Sequence, residues 1–195
     1  MTAELSISNT KNHIITKNMN YIAITSPDIN NGLGCRVTLW IAGCSNKCKG
    51  CQNKETWNYD QGKDIFDDEL YTKICDELSK PYIKGLTLSG GDPLSQPLSN
   101  LYDLYRFVEK VKYDFPDKDI WIYTGDTYEE ILNFTIKKLI VLACDVLVEG
   151  RYDMTQRDIT LPFRGSKNQR IIDIKKSSKH GELMKKPIEL VIPEF

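Results

Sequence analysis

Residues 36–51 read Arg-Val-Thr-Leu-Trp-Ile-Ala-Gly-Cys-Ser-Asn-Lys-Cys-Lys-Gly-Cys. The opening run, Arg36 to Ala42, is rich in β-branched and aromatic side chains, the pattern of a buried strand. Gly43, Asn46 and Gly50 then interrupt regular structure, so the cysteines fall on a loop at the strand's carboxyl end. A strand running into a glycine turn recurs downstream: Lys84–Ser89 before Gly90-Gly91-Asp92-Pro93, Asp119–Thr124 before Gly125, and Asp145–Glu149 before Gly150. Between these strands the apolar residues return at helical spacing. Leu70, Ile74 and Leu78 mark a helix over Asp67–Lys80; Leu101, Leu104, Tyr105, Val108 and Val111 mark another over Leu98–Tyr113. A third is expected from Thr127 to about Ala143, although its last part, Leu139–Leu142, suits a strand equally.

Such alternation implies an α/β fold, a parallel sheet with right-handed crossovers. Upstream, Tyr21–Thr25 suits a short strand, and Ser26–Gly34 is a loop dense in turn formers. After Gly150 the alternation stops; Gln169–Ile174 and Ile188–Ile192 read as strands with no helix between them. At 195 residues the chain is too short for an eight-unit barrel of about 250 residues. The expectation is one domain over residues 1–195, a partial, open β/α barrel of about six mainly parallel strands. Residues 1–20 form a polar lead-in and 176–195 a C-terminal extension.

Composition narrows the function. Hydrophobic residues at 41% and charged residues at 27% suit a globular domain and exclude wholesale disorder. A formal net charge of −1 supplies no global attraction to nucleic acid or anionic lipid, so neither is an expected partner. The most apolar stretch, Leu139–Val148, is interrupted by Asp145 and too short to span a bilayer. Met1-Thr2-Ala3-Glu4 lacks the basic start and apolar run of a secretory signal, which makes the cytoplasm the expected compartment. Six cysteines there are poor candidates for structural disulfides. Cys35, Cys75 and Cys144 are scattered, whereas Cys44, Cys48 and Cys51 crowd together, and clustered thiols in a reducing setting point to metal.

Thiolates are soft ligands that suit iron–sulfur clusters and zinc. A ferredoxin cubane takes four cysteines. Three would leave one iron with an open position, as catalytic zinc sites keep one open. Two other readings stand beside this one. The spacings of four and three also fit one face of a helix, a reading opposed by Gly43, Asn46 and Gly50. A zinc site is the second, completed by His13, His180, Cys35, Cys75 or Cys144.

The triad Cys44-x3-Cys48-x2-Cys51 resembles the signature of the radical S-adenosylmethionine (SAM) enzymes. Within that superfamily the chain is similar to the activating proteins of anaerobic (class III) ribonucleotide reductases, from about Ser26 to Ser177. The similarity lies in Asn31-Gly32-Leu33-Gly34-Cys35-Arg36, Gly43–Asn53, Leu88-Ser89-Gly90-Gly91-Asp92-Pro93-Leu94, Trp121-x-Tyr123-Thr124-Gly125 and Arg164-Gly165-Ser166-x-Asn168-Gln169-Arg170. Gly50 stands where the superfamily often has an aromatic residue, Asp92 where it often has Glu, and Leu33 where related activases commonly have proline.

The resemblance implies one 4Fe–4S cluster per chain on Cys44, Cys48 and Cys51, its open iron chelated by the amino and carboxylate groups of SAM. It implies reductive cleavage of SAM and the making of a glycyl radical on the large subunit of the anaerobic reductase. It places SAM contacts at Gly90, Gly91, Asp92, Thr124 and Gly125. On local residues alone, Gly90–Pro93 reads first as a strand-to-helix turn with Asp92 as a cap, and Thr124-Gly125 equally as a turn or a contact. Glu149 and Gly150 carry the same ambiguity.

Arg36 is expected to form a structural ion pair, Trp40 and Trp121 to lie in the core, and Trp57 to shield the cluster. Arg164–Arg170 reads as a hairpin turn or as part of the barrel mouth where the partner docks. Lys175, Lys176, Lys179, Lys185 and Lys186 form a solvated basic tail or attract an acidic electron donor such as flavodoxin. Rival readings are an activase of another glycyl-radical enzyme, a small radical SAM enzyme acting on a small molecule such as a deazapurine, and a non-catalytic zinc-stabilised binding module.

Overall fold

The chain opens with β1 (Asn20–Asp28) and β2 (Cys35–Ile41) in the computed structural model, which describes residues 19–64 and 68–193. A 3₁₀ turn, Lys54–Thr56, closes the cysteine loop. There follow β3 (Lys63–Asp64), α1 (Asp68–Leu78), β4 (Ile83–Gly90), α2 (Leu98–Asp114) and β5 (Asp119–Tyr123). Next come α3 (Tyr128–Ile131), α4 (Thr135–Ala143), β6 (Val146–Glu149) and a second 3₁₀ turn, Met154–Gln156. The last elements are β7 (Arg170–Asp173) and a small hairpin of β8 (Ser178–Lys179) and β9 (Glu182–Leu183).

The main sheet runs β3-β1-β2-β4-β5-β6-β7. Its centre is parallel, with Leu39 opposite Leu88, Leu88 opposite Ile122 and Ile122 opposite Leu147. The flanks are antiparallel: β1 on β2, β3 on β1 and β7 on β6. The expected count of about six mainly parallel strands is therefore corrected to seven strands in a mixed sheet, α/β in class. The cause lies in the connections. The loop from β1 to β2 is too short for a parallel crossover, and no α-helix separates β6 from β7.

Along β2-β4-β5-β6 the spatial order follows the chain order, without the reversal that splits a doubly wound sheet. Right-handed crossovers then place all the helices on one face. Alternation along each strand sorts the side chains accordingly. Val37, Leu39, Leu86, Leu88, Ile120, Ile122 and Leu147 pack against Leu70 and Ile74 of α1, Leu104 and Phe107 of α2, and Ile140 of α4. Each such burial contributes about 1.5–3 kcal/mol. The opposite face carries Trp121, Val146, Val148 and Ile171, with Leu33, Tyr123 and Phe163 packed on them.

Arg36 lies on that second face, fully buried. Its guanidinium pairs with Asp119 at 2.6 Å. It also donates to Thr87 Oγ1 at 2.7 Å and to the carbonyls of Leu33, Leu86 and Asp119. The expected structural ion pair is present. Trp121 is core, as expected, with Arg36 over its ring at 5.3 Å. Trp40 is not: it is half-buried, and its indole N–H donates to Thr25 Oγ1 at 2.9 Å.

Two further expectations are corrected. The helix over 127–143 is two helices, because Thr127 and Glu130 form a capping box on α3 and the Asn133 side chain donates to the Glu129 carbonyl, closing the turn. Of the two readings of Leu139–Leu142 the helical one holds, within α4. Ile188–Ile192 makes one isolated bridge, Ile172 to Glu189, between Pro187 and Pro193, which cannot donate to a ladder. β1 also extends beyond Thr25 to Asp28, through a register shift that accommodates Pro27. Most of the polar lead-in, residues 1–18, lies outside the described residues, as does His13. Among the described residues no helix is long and apolar enough to cross a membrane.

Candidate metal centre and its cavity

The cysteine loop leaves β2 at the carboxyl end of the parallel strands, the end where ligands bind in open α/β sheets. Gly43, Lys47 and Gly50 have positive φ (98°, 46° and 76°), which coils residues 43–51 back on themselves. The loop is anchored at both ends. Gly43 N donates to Thr56 O at 2.7 Å, and Cys44 N donates to Trp57 O at 3.1 Å. Trp57 thus supports the loop through its backbone, and its side chain is half-buried.

Cys44 is buried, Cys48 and Cys51 are half-buried, and all three are free thiols. Cys51 Sγ accepts from Asn53 N at 3.4 Å. Burial pushes the Cys44 and Cys48 thiols up, and the nearby Asp92 charge adds to this at Cys44. Three soft sulfurs on one loop suit a thiolate-held iron–sulfur cluster.

Among the described residues the zinc reading finds no fourth ligand, and His13 lies outside them. Cys35 begins the strand whose far end carries the triad, about 20 Å away at 3.3 Å per residue. Cys144 is buried just before β6, Cys75 sits half-buried on α1, and His180 lies in the β8–β9 turn. Among the described residues no three His, Cys, Asp or Glu side chains converge on a single-ion site.

The Gly90–Pro93 turn closes directly on the cysteine loop. Gly91 N donates to Ile41 O at 2.8 Å, Asp92 N to Gly43 O at 2.9 Å, and Gln96 Nε2 to Ala42 O at 3.0 Å. A Cβ on Gly91 would collide with the Gly43 carbonyl and lie 2.8 Å from Thr56 O. Asp92 does not cap α2, which begins after Pro97. Its carboxylate is 1% exposed and accepts four hydrogen bonds. Oδ1 accepts from Leu94 N (2.9 Å) and Thr124 Oγ1 (2.8 Å); Oδ2 accepts from Asn46 Nδ2 (2.8 Å) and Gly125 N (2.9 Å). Burial pushes this carboxyl above its ordinary range, against those donors. The structure thus brings Asp92, Thr124 and Gly125 together with the cysteine loop, through Asn46. Glu149 is similarly engaged, pairing with Arg170 and accepting from Tyr128 N at 3.0 Å.

On the helix-free face lies a cavity of about 690 Å³. Its wall includes Thr25 and Asp28, Trp40, Cys51 and Asn53, Ser89, Tyr123, Tyr152, Phe163, Arg164 and Gln169. Of the sequence-derived site residues only Cys51 is on it; Gly90, Gly91, Asp92, Thr124 and Gly125 lie outside it. Tyr123 and Arg164 line it, although Tyr123 Oη and Arg164 Nε are themselves buried and have no hydrogen-bond partner. Gln169 fixes the wall: its Oε1 accepts from Gly165 N at 2.9 Å and its Nε2 donates to Gly150 O at 2.9 Å. Sequence reasoning missed Asn46 and Tyr123. The available signals were an amide between two cysteines and an aromatic residue just before a strand's terminal Thr-Gly.

A singly wound α/β sheet with a coiled triad of thiols at its carboxyl end defines an iron–sulfur protein. In agreement, the family model described as a 4Fe-4S single cluster domain matches residues 30–172. The anaerobic ribonucleoside-triphosphate reductase-activating protein of Pasteurella multocida is 42% identical over 153 residues, covering 77% of this chain and 95% of its own. The proteins of that name from Enterobacteria phage T4 and Escherichia coli K12 are 42% and 39% identical, over 78% and 77% of this chain and 93% and 96% of theirs. The chain belongs to the family of anaerobic ribonucleoside-triphosphate reductase-activating proteins.

Proposed function

We propose that this chain is a SAM-dependent activating enzyme that makes a glycyl radical on the large subunit of an anaerobic ribonucleotide reductase. The observation that carries the reading is the triad: three free thiols on one coiled loop at the carboxyl end of the parallel strands, with Cys51 on the cavity wall. Family membership supports it. In this reading residues 1–195 form one radical SAM domain, and the singly wound sheet is a partial, open barrel.

Cys44, Cys48 and Cys51 would hold the 4Fe–4S cluster and leave one iron for SAM. When bound, cluster and SAM together would supply the chemistry, one-electron reductive cleavage of the sulfonium carbon–sulfur bond and, from it, the power to abstract a hydrogen atom from glycine. The chain's own part is to bind, orient and exclude. Gly90, Gly91, Asp92, Thr124 and Gly125 would meet SAM through backbone atoms, since the Asp92 carboxylate and Thr124 hydroxyl already bond each other. Tyr123 and Arg164 line the cavity that would receive the substrate. Trp40 and Phe163 keep much of the wall apolar, which limits the water and stray hydrogen donors near a reactive radical.

The open, helix-free face admits a peptide loop of the reductase. An acidic electron donor such as flavodoxin would meet Lys179, Lys185 and Lys186, because Lys175 and Lys176 are drawn to Asp145 and Asp173. A cytoplasmic setting suits both partners. The test is anaerobic reconstitution followed by reductant and SAM. The wild type releases 5′-deoxyadenosine, Cys48→Ala releases none, and mixing the wild type with purified reductase yields a glycine-centred paramagnetic signal. A reconstituted chain without a cubane cluster, or one that cleaves SAM yet never yields that signal, overturns the reading.

A further inference from the structure

Asp92 sits in the turn that the resemblance assigns to SAM, and its carboxylate accepts four hydrogen bonds from the protein. Four donors converge on its two oxygens at 2.8–2.9 Å, from three separate segments: its own turn, the end of β5 and the cysteine loop. The bond to the cysteine loop runs to Asn46, which lies between the first two cysteines of the triad. Asn46 is held from its other side as well. Its Oδ1 accepts from Arg151 Nε at 3.1 Å, and Arg151 Nη1 reaches both carboxylate oxygens of Glu130, at 3.2 and 3.1 Å. Glu130 is itself fixed in the capping box of α3. The amide is thus clamped between a carboxylate and a guanidinium, its donor and acceptor ends both assigned by their partners. Gly125 completes the fit: a Cβ there would collide with Asn46 Nδ2.

We propose that Asp92 is a positioning residue: through Asn46 it locks the Cys44–Cys48 span to the ends of β4 and β5 and so fixes where two of the three cluster-bearing sulfurs stand. This rests on the cluster assignment above and departs from a direct ligand role for the Asp92 side chain. Asp92→Asn would present an N–H where the carboxylate only accepts, setting donor against donor toward Asn46 and Gly125 or, with the amide turned over, toward Leu94 N. Ala at position 46 would cut the same strut from the other end while leaving the carboxylate in place.

The two roles separate in a double-mutant cycle on the reconstituted protein, with Asp92→Asn, Asn46→Ala and the pair. The readouts are the paramagnetic spectrum of the reduced cluster without SAM, the Kd for SAM, and the rate of 5′-deoxyadenosine release. Positioning predicts that both single variants shift the SAM-free spectrum in the same way and slow release by about tenfold, a rise of about 1.4 kcal/mol in the barrier. It also predicts that Kd changes less than about threefold and that the double variant is no worse than either single one. A ligand role predicts the reverse: Asp92→Asn weakens SAM binding tenfold or more with an unchanged SAM-free spectrum, and Asn46→Ala does neither. That result overturns the proposal. Hydrogen exchange on the cluster-free chain makes the test independent of the cluster assignment. Residues 44–51 exchange faster in both variants if the strut is real, and unchanged protection there refutes it even if the wild type assembles no cluster.

Discussion

Replacing Arg36 with methionine removes one side chain of similar length and, with it, the hub beneath the cavity. The guanidinium is fully buried, paired with Asp119 at 2.6 Å, and bonded to Thr87 Oγ1 and to carbonyls of Leu33, Leu86 and Asp119. Breaking a buried pair from one side costs about 3–5 kcal/mol, because the other charge and its acceptors stay behind unpaired. Here the Asp119 side chain is 25% exposed, so water relieves part of that charge, and about 3 kcal/mol is the expected loss. For a chain of this size that lowers Tm by about 6–12 °C. The assay is thermal and urea unfolding of the cluster-free protein followed by circular dichroism. Arg36→Lys keeps the charge but cannot direct donors to β4, β5 and the Leu33 loop at once, and is expected to lose about 2 kcal/mol. Combining Arg36→Met with Asp119→Leu restores about 1–2 kcal/mol, since no charge is then left behind. A lysine variant that melts with the wild type, or a methionine variant within 1 °C of it, would refute the reasoning.

Asp145 is expected to carry a pH-dependent share of stability. Burial opposes its charge, but the Lys112 and Lys175 ammonium groups and the Ile120 N–H outweigh it and hold its carboxyl below the usual range. Its folded pKa is therefore depressed. The stabilisation is complete above the unfolded value of about 3.9 and fades as pH falls through the folded value. Urea unfolding of Asp145→Asn should show a loss of about 1–3 kcal/mol at pH 7 that shrinks below about pH 4; a gap independent of pH counts against it. Gly91→Ala meets backbone on two sides, Gly43 O and Thr56 O. It should cost about 1–3 kcal/mol and lower iron and sulfide per reconstituted chain, whereas full loading would mean that the turn and the cysteine loop are not in register.

The parallel core was legible because its signals are local. Residues such as Leu70, Ile74 and Leu78 repeat at helical spacing and bury as that spacing requires. The strands ending at Gly90 and Glu149 likewise announce themselves by short runs of Leu, Thr and Val before glycine. What escaped depends on partners distant in sequence. Trp40 looks like core in a strand, but its side of β2 faces the cavity rather than the helices, a fact set by which face the crossovers cover. Asn133 ends α3 by bonding to Glu129 O, a choice that helical periodicity does not encode. The cysteine triad was readable from spacing, whereas the support of its loop was not. Asn46 reads as a loop punctuator until Asp92, 46 positions away, is brought beside it.

The antiparallel flanks, where the expected topology failed, are what make the cavity. Thr25, Pro27 and Asp28 of β1 form one wall. The opposite wall comes from residues 152–169, which lead into β7. Had the chain continued to alternate strand and helix, further parallel strands would have curled round toward β1, as in a closed barrel whose interior is packed with side chains. Instead β1 turns back after a short loop and β7 returns beside β6, so the helix-free face of the sheet is only partly covered, by the small cluster around Trp121, and the rest of it opens onto the cavity. The cysteine loop is at the edge of that space, with Cys51 on its wall. A small-molecule enzyme of this size would gain by closing over its substrate. An enzyme whose substrate is one residue on another protein needs the face left open for the partner to complete, and this mixed sheet leaves it open.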